Sequence, residues 1–214
     1  GMSKPASGRV FIDAHEISPR SSQDAFAMRR LGIAHVPEDR LRTGLISAFS
    51  AAQSAILGNH RDSCFDGPAG LRWFWSMAAI RAHCQACFSA FDVRPSDPEL
   101  RTGGFSGGNQ QKLLLAREIA TAPKILLVGQ PTRGVDIGAI ELIHKRLLAL
   151  RDAGTAILLV SVELDEILAL SDRIMVMYEG QVAGLVDAGD ADERTIGLMM
   201  ANALADRVAA EQVA

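Results

Sequence analysis

The sequence predicts an α/β fold in which a largely parallel sheet is flanked by helices and interrupted by a helical insertion. Short apolar runs that are typical of buried strands occur at residues 33–36, 125–128, 156–160 and 174–178. Helical patterns, with apolar residues spaced by three or four, separate the later runs at residues 139–151 and 164–170. Strands that alternate with helices along a chain favour a parallel sheet.

Three further elements complete the predicted order of the chain. We predict a strand at residues 9–13, a helix at residues 21–31 and a hairpin formed with residues 181–186. Pro37 ends the strand at residues 33–36, because a proline restricts the residue before it and lacks an N–H group. A charged loop, Glu38-Asp39-Arg40, follows directly.

The segment from residue 45 to residue 104 has a different character from the rest of the chain. It is rich in alanine, carries several aromatic side chains, and has the pattern of helices with irregular breaks. One part is crowded with large apolar residues, namely Leu71, Trp73, Phe74, Trp75, Met77 and Ile80. They belong either to the core or to a groove for a partner, and a helical apolar stripe favours the core.

Bulk composition narrows the function classes. A hydrophobic content of 48% is ample for a buried core, and a net charge of −3 argues against a nucleic-acid partner, which would require a basic surface. The three cysteines suit a reducing compartment. Cys84-x-x-Cys87 is either half of a zinc site or a pair of buried thiols, and we favour thiols because no second ligand pair lies at a suitable spacing. We therefore predict no metal site formed by this chain alone.

A serine and two glycines open the helix that follows the insertion. Residues 106–112 read Ser-Gly-Gly-Asn-Gln-Gln-Lys and lead into an apolar run. Backbone N–H groups at the beginning of a helix, together with a hydroxyl, are well suited to contact a phosphate. The alternative is that Ser106 only caps the helix, which requires no ligand.

Three segments of this sequence together resemble the ATP-binding subunits of ABC transporters. They are residues 106–112, Pro-Thr-Arg-Gly-Val-Asp at residues 131–136, and Val-Pro-Glu-Asp-Arg at residues 36–40. The resemblance is strongest to the second, C-terminal nucleotide-binding half of importers for simple sugars and nucleosides. It implies an ABC-type P-loop NTPase core formed by residues 1–44 and 122–214, and a helical subdomain at residues 45–121 that includes the signature motif.

The resemblance also implies roles for individual residues. In ABC proteins ATP lies between the phosphate loop of one nucleotide-binding half and the signature loop of the other. Ser106, Gly107, Gly108 and Asn109 would then face ATP held by a partner half. Glu38 would stand where most ABC proteins carry a glutamine that touches the metal site and the permease, and Asp136 would lie in the loop that crosses the dimer interface. The alternatives are a solvated turn for Glu38 and a helix cap for Asp136. Arg133 either contacts phosphate or a partner carboxylate, or is simply solvated.

Several positions depart from the family pattern. Gly129 and Gln130 stand where most ABC ATPases carry the aspartate and glutamate that order magnesium and polarise water, and Val162 replaces the switch histidine. No lysine of the chain follows a glycine, so a Gly-Lys-Ser/Thr phosphate loop is absent from these residues. We therefore expect an incomplete core, cut after the phosphate-loop region, with a degenerate hydrolytic site that is inactive alone.

The function implied by the resemblance is ATP-driven import of a sugar or nucleoside. ATP and Mg²⁺ would bind at a composite site shared with a partner half that has an intact phosphate loop. Other partners would be transmembrane permease subunits and, indirectly, a solute-binding protein, with the chain peripheral on the cytoplasmic face of the membrane. The alternatives are a non-catalytic regulatory module with ABC architecture and an ABC ATPase that acts outside transport.

Overall fold

The computed structural model describes residues 6–17, 24–67 and 74–201. Its helices are α1 (Ala25–Arg30), α2 (Ala51–Ala55), α3 (Met77–Phe91), α4 (Gly107–Ile119), α5 (Ile137–Asp152), α6 (Leu164–Leu170) and α7 (Glu193–Met200). Its strands are β1 (Val10–Ile12), β2 (His15–Ile17), β3 (Ile33–Val36), β4 (Ile125–Gly129), β5 (Ala156–Val160), β6 (Arg173–Tyr178) and β7 (Gln181–Asp187). The beginning of the helix predicted at residues 21–31 lies outside the described residues, as do Leu71 and Trp73. None of the helices in the described ranges has the length and apolar character that a bilayer crossing demands.

The chain divides into two compact units, Gly1–Leu158 and Leu159–Ala214. A sheet with the strand order β3-β4-β5 forms the centre of the first unit, and β3 and β4 pair in parallel from Ile33↔Ile125 to Val36↔Val128. This pairing confirms the predicted parallel sheet. The short hairpin of β1 and β2 precedes it, and β2 was not predicted because only one of its three residues, Ile17, is apolar.

Helix α4 lies at the centre of the first unit's core. Leu113, Leu114 and Leu115 are fully buried, and α4 packs against β3, α2, α3 and α5. A helix that is apolar on all sides in its middle is one that other elements surround. The position of the helix that carries the signature residues is therefore set by the core on every side.

A buried ionic cluster fixes the far end of α4. The Glu118 carboxylate is fully buried, and its Oε1 accepts hydrogen bonds from Arg29 and from Arg117, with N···O distances of 2.8 Å in both ion pairs. Arg117 also donates to the carbonyl of Gly44 at 2.9 Å. Burial lowers the pKa of the Arg117 guanidinium, although Glu118 opposes that shift. The cluster joins α4 to α1 and to the beginning of the helical insertion.

The helical subdomain predicted at residues 45–121 contains α2, α3 and α4, with no strand among its described residues. Ile80, Cys84, Cys87 and Phe88 of α3 are buried, as expected of core residues and of buried thiols. Burial raises the pKa of Cys84 to about 12 and that of Cys87 to about 11. The core prediction is wrong for Phe74, Trp75 and Met77, whose exposed fractions are 67%, 53% and 43%. Phe74 and Trp75 precede α3 and Met77 begins it, and Trp75 still contacts His60, with ring centroids 6.2 Å apart.

The second unit is a hairpin of β6 and β7 packed against helices. Ile174 and Val176 of β6 and Ile196 of α7 form its buried core, with residues of α6 packed around them. The other face of the hairpin is exposed and apolar, because Met175 pairs with Leu185 and Met177 pairs with Val182 across the two strands, each more than half exposed. The hairpin agrees with the predicted one and extends it by one residue at each outer end.

Candidate functional site

The beginning of α4 is the part of the signature segment that faces solvent. Ser106 is its N-cap, and the serine Oγ accepts hydrogen bonds from the Asn109 backbone N–H at 3.4 Å and from the Asn109 side-chain amide at 2.9 Å. Asn109 Oδ1 in turn accepts from the Arg94 N–H at 2.8 Å. The first N–H groups of a helix have no partner within it, and of the two glycines that carry them here Gly107 is half-buried and Gly108 is buried. The predicted cap is present, and the hydroxyl that forms it is still exposed.

The loop after β4 packs directly onto the glycine pair. A Cβ added to Gly108 would lie 3.3 Å from Asp136 Oδ2, and one added to Gly107 would lie 3.2 Å from the Gly134 carbonyl. Gly134 has a φ of +66°, a conformation that favours glycine. The two predicted segments, residues 106–109 and residues 131–136, therefore form one continuous surface.

Asp136 caps α5 in the structure. Its Oδ1 accepts a hydrogen bond from the Ala139 N–H at 2.9 Å, while Oδ2 is directed towards Gly108. The capping alternative considered for this residue is thus present. A capping carboxylate leaves one oxygen free, and Asp136 is exposed, so a further contact with a partner remains geometrically open.

Two arginines connect the charged loop after β3 with the loop after β4. Arg133 Nη1 lies 2.6 Å from Glu38 Oε1, in a pair whose side chains are 66% and 58% exposed. In the opposite direction, Arg40 Nη1 donates to the carbonyl of Arg133 at 3.0 Å. Glu38 is therefore an exposed, paired carboxylate, which is closer to the solvated turn than to a free ligand.

The residues that directly follow β4 offer no acidic group. Gly129 is the last residue of β4, and a Cβ at this position would lie 3.2 Å from the backbone nitrogen of Glu38. Gln130 is 7% exposed and has a φ of +49°, a strained conformation for a residue with a side chain. The site at this strand end is therefore small, neutral and closely packed against the Glu38 backbone.

Val162 lies in the second compact unit and is described there by itself. It is 72% exposed in the turn between β5 and α6, where the Glu163 N–H donates to Ser161 Oγ at 3.0 Å. A valine can neither bind a metal nor transfer a proton. Of the predicted site residues, the structure brings together Ser106, Gly107, Gly108, Asn109, Glu38, Gly129, Gln130 and Asp136 in the first unit.

Sequence reasoning missed the most central side chain of this surface, Arg40. Its Nη2 lies 2.5 Å from the position that a Cβ of Gly107 would take, and its Nε is 3.4 Å from Gln110 Oε1. Arg40 thus touches the charged loop, the beginning of α4 and the loop after β4. Arg40 was noted in the sequence as the end of a run of three charged residues and of the Val-Pro-Glu-Asp-Arg segment, and neither pattern indicates these contacts.

Comparison with known proteins agrees with this architecture. Residues 1–133 match the family model of the ABC transporter. The chain is 38% identical over 200 residues to the nucleoside import ATP-binding protein NupA of Lactococcus lactis subsp. cremoris, which covers 94% of this chain and 38% of that protein. It is 40% identical over 205 residues to the glucose import ATP-binding protein TsgD13 of Haloferax volcanii, which covers 94% of this chain and 36% of that protein. The chain therefore spans well under half the length of these curated relatives.

Solved structures show the same fold at low sequence identity. A dimeric ATP-binding cassette in a post-hydrolysis state, bound to ADP and Pi, matches with a TM-score of 0.70 and 21% identity over 87% of this chain and 76% of its own. A nucleotide-free ATP-binding cassette from an ABC transporter matches with a TM-score of 0.68 and 19% identity over 94% of this chain and 76% of its own. With a family model that covers residues 1–133 and this cassette fold, the chain belongs to the ABC transporter family.

Proposed function

We propose that this chain is the second, degenerate nucleotide-binding half of an importer ATPase for simple sugars or nucleosides. It supplies the signature face to ATP that a partner half holds, and the partner performs hydrolysis. The relatives named as nucleoside and glucose import ATP-binding proteins support the substrate class. The observation that carries the proposal is the beginning of α4, where the exposed Ser106 hydroxyl stands next to the half-buried Gly107 at the N-terminal end of the helix.

The residues at the beginning of α4 fit a terminal phosphate. A phosphate presents only hydrogen-bond acceptors, and a hydroxyl and backbone N–H groups are donors that match them. The helix dipole adds positive potential at the same end. The Ser106 Oγ accepts a hydrogen bond of 2.9 Å from the Asn109 side-chain amide, which holds the hydroxyl in place and leaves its own hydrogen to donate. Bound ATP would supply the phosphate that closes the two halves on each other.

The residues after β4 do not fit magnesium or an attacking water by themselves. Gly129 has no side-chain oxygen, Gln130 carries an amide that cannot accept a proton near neutral pH, and the nearby Glu38 carboxylate is paired with Arg133 at 2.6 Å. Together with Val162, these positions support a half that does not hydrolyse ATP. Mg²⁺ would therefore enter a composite site through groups of the partner half.

The exposed apolar patch of Phe74, Trp75 and Met77 supports a contact with transmembrane permease subunits. Large apolar side chains that lie together and are this exposed are uncommon on a surface that meets only water. Docking onto a permease would place the chain at the cytoplasmic face of the membrane, with a solute-binding protein as an indirect partner. The helical segment of residues 45–121 would act as the subdomain that transmits closure to the permease, while residues 1–44 and 122–214 form the core.

The proposal is tested by ATP-dependent association with a partner half that has an intact phosphate loop. This chain would be mixed with a partner variant that binds nucleotide but does not hydrolyse it, and sedimentation velocity would be measured with and without MgATP. Ser106→Arg should abolish the association, because its side chain would occupy the space of the phosphate. Ser89→Arg, an exposed serine on α3, is the matched control and should leave association unchanged. ATP-dependent association that survives Ser106→Arg would contradict the proposal.

A further inference from the structure

We propose that Arg40 is a positioning residue that holds the beginning of α4 and the loop after β4 in one fixed arrangement. Its effect on nucleotide-driven pairing rests on the function proposed above, but the arrangement itself does not. Arg40 Nη1 donates to the Arg133 carbonyl at 3.0 Å, and Arg40 Nε approaches Gln110 Oε1 at 3.4 Å. One guanidinium therefore contacts residues that lie 93 and 70 positions away in the sequence.

The glycine at position 107 makes room for this guanidinium. A Cβ at Gly107 would lie 2.5 Å from Arg40 Nη2, a distance at which one of the two groups must move. The arginine also lies beside the glycine of the other loop, with its Nη2 3.7 Å from the position that a Cβ of Gly134 would take. Arg40 is thus seated between the two glycine-containing loops, against both of their backbones.

The neighbouring ion pair cannot replace this contact. Glu38 and Arg133 join the same two loops, but both side chains are more than half exposed, and exposed pairs contribute little because water competes for them. Arg40 is half-buried and its planar fork reaches two acceptors at once, the Arg133 carbonyl at an exposed position and Gln110 Oε1 at a part-buried one. A lysine could reach one of these acceptors and not both.

The consequence concerns the alignment of two sets of groups. Ser106 caps the helix whose beginning Arg40 contacts, and Asp136 lies in the loop whose Arg133 carbonyl Arg40 also contacts. If both are to meet one partner surface, their relative position must be set before binding, since ordering them on binding would weaken association. Arg40 provides that order in the unbound chain.

Residue-resolved amide hydrogen exchange on the 214-residue chain, without nucleotide, tests the arrangement. The informative amides are those of Asn109 and Gln110 in α4, and of Val135 and Ala139 in and after the second loop, since each is hydrogen-bonded in the structure. Arg40→Ala should raise their exchange rates by roughly tenfold, the effect of losing one hydrogen bond to a charged group. The amide of Ala51, bonded to the Leu100 carbonyl, should not change.

Two variants separate positioning from a general loss of stability. Arg42→Ala is the matched control, because Arg42 is exposed in the same loop and its side chain makes no hydrogen bond to the described residues; it should leave all four amides unchanged. Arg40→Lys should restore part of the protection at the loop after β4, because a single amine can still reach the Arg133 carbonyl. If Arg40→Ala leaves the four amides unchanged, or raises exchange equally at Ala51, the inference is wrong.

A double substitution checks the contact with Gly107 directly. Gly107→Ala should raise exchange at Asn109 and Gln110 in the original chain, because the new methyl group displaces Arg40. In the Arg40→Ala background the same methyl group has space on that side, so its added effect should be at least threefold smaller. Equal effects in the two backgrounds would show that the two residues are not coupled, and would overturn the inference.

The outcomes distinguish this inference from the proposed function. Exchange that rises as expected in Arg40→Ala, combined with ATP-dependent pairing that tolerates Ser106→Arg, would retain the arrangement and reject the composite site. Pairing that is lost in Ser106→Arg, combined with exchange and pairing that Arg40→Ala leaves unchanged, would retain the composite site and reject the arrangement around Arg40. If both stand, Arg40→Ala should weaken pairing several-fold at saturating MgATP and leave the melting temperature unchanged within about 2 °C.

Discussion

The two ends of α4 are built from different chemistry. At its beginning, Ser106 is exposed, two glycines follow it, and the nearest charged group, Arg40, is only half-buried. At its end, Glu118 is fully buried between Arg29 and Arg117. One end leaves hydrogen-bond donors free, and the other satisfies a buried carboxylate with charged partners.

The difference indicates that one end of α4 anchors the helix and the other end presents hydrogen-bond donors. A buried ionic cluster holds the far end of α4 to α1 and to the helical insertion, so the helix has a fixed direction. The free donors at the beginning then point to a defined place in space. The predictions below remove these contacts one at a time, beginning with the buried end.

Glu118→Gln should have the largest effect on stability. The substitution leaves Arg117, whose side chain is 4% exposed, without its charged partner, and breaking a buried pair costs roughly 3–5 kcal/mol of unfolding free energy. Urea denaturation followed by circular dichroism measures the change. Glu99→Gln is the matched control, because its pair with Arg81 is more than half exposed on both sides and should contribute under about 1 kcal/mol. Equal costs for the two substitutions would contradict the structural role of the cluster.

The buried end should also make stability depend on pH. His35 lies beside this cluster, with its backbone nitrogen 3.4 Å from Glu118 Oε2. Burial lowers the pKa of its imidazole, although the Glu118 charge opposes that shift. Because the folded pKa is below that of the unfolded chain, the unfolded state binds the proton more readily. Stability should fall as the pH drops below about 6.5, by at most about 1.4 kcal/mol per pH unit for this one group.

Denaturation of His35→Gln over the same pH range isolates the histidine. The variant should lose less stability than the original chain between pH 6.5 and the lowered pKa. Identical slopes for the two proteins would show that His35 is not the group responsible.

Asp136→Ala should have a smaller effect on stability. The aspartate caps α5 through its hydrogen bond of 2.9 Å to the Ala139 N–H, and the loss of such a cap costs roughly 1 kcal/mol. Asp136→Ser retains a capping group and should recover most of that loss. If the serine variant restored stability but not ATP-dependent pairing, Asp136 would have a second role at the interface.

Ser106→Asp should affect stability least and pairing most. Aspartate is as good an N-cap as serine and interacts favourably with the helix dipole, so the unfolding free energy should change by less than about 0.5 kcal/mol. A carboxylate in this position would repel a phosphate, so MgATP-dependent association should be lost. Association that persists would mean that Ser106 is a cap and nothing more.

Much of the fold follows from local patterns in the sequence. The bounds of β3, β5 and α6 agree with the predicted runs, because short apolar strands and caps depend on neighbouring residues. The exposure of Trp75 could not be predicted, since an apolar stripe looks the same whether or not another element covers it. Arg40 could not be recognised either, because its contact with Arg133 joins residues far apart in the chain and exists only after the sheet has formed.

The candidate site divides in the same way. Ser106 and Asp136 could be placed at helix beginnings from the sequence, because capping is a local property, and the structure places both there. Their closeness depends on tertiary packing, because the loop after β4 places Asp136 Oδ2 3.3 Å from the position that a Cβ of Gly108 would take. The roles of these residues towards nucleotide remain predictions.

A calorimetric titration of MgATP into the 214-residue chain alone tests the central claim most directly. The chain offers donors for one end of a phosphate group and neither a phosphate loop nor a magnesium carboxylate at β4, so we expect no measurable heat up to millimolar nucleotide. Clear binding in the micromolar range would show a complete nucleotide site within this chain and would contradict its role as a half that only completes the site of a partner.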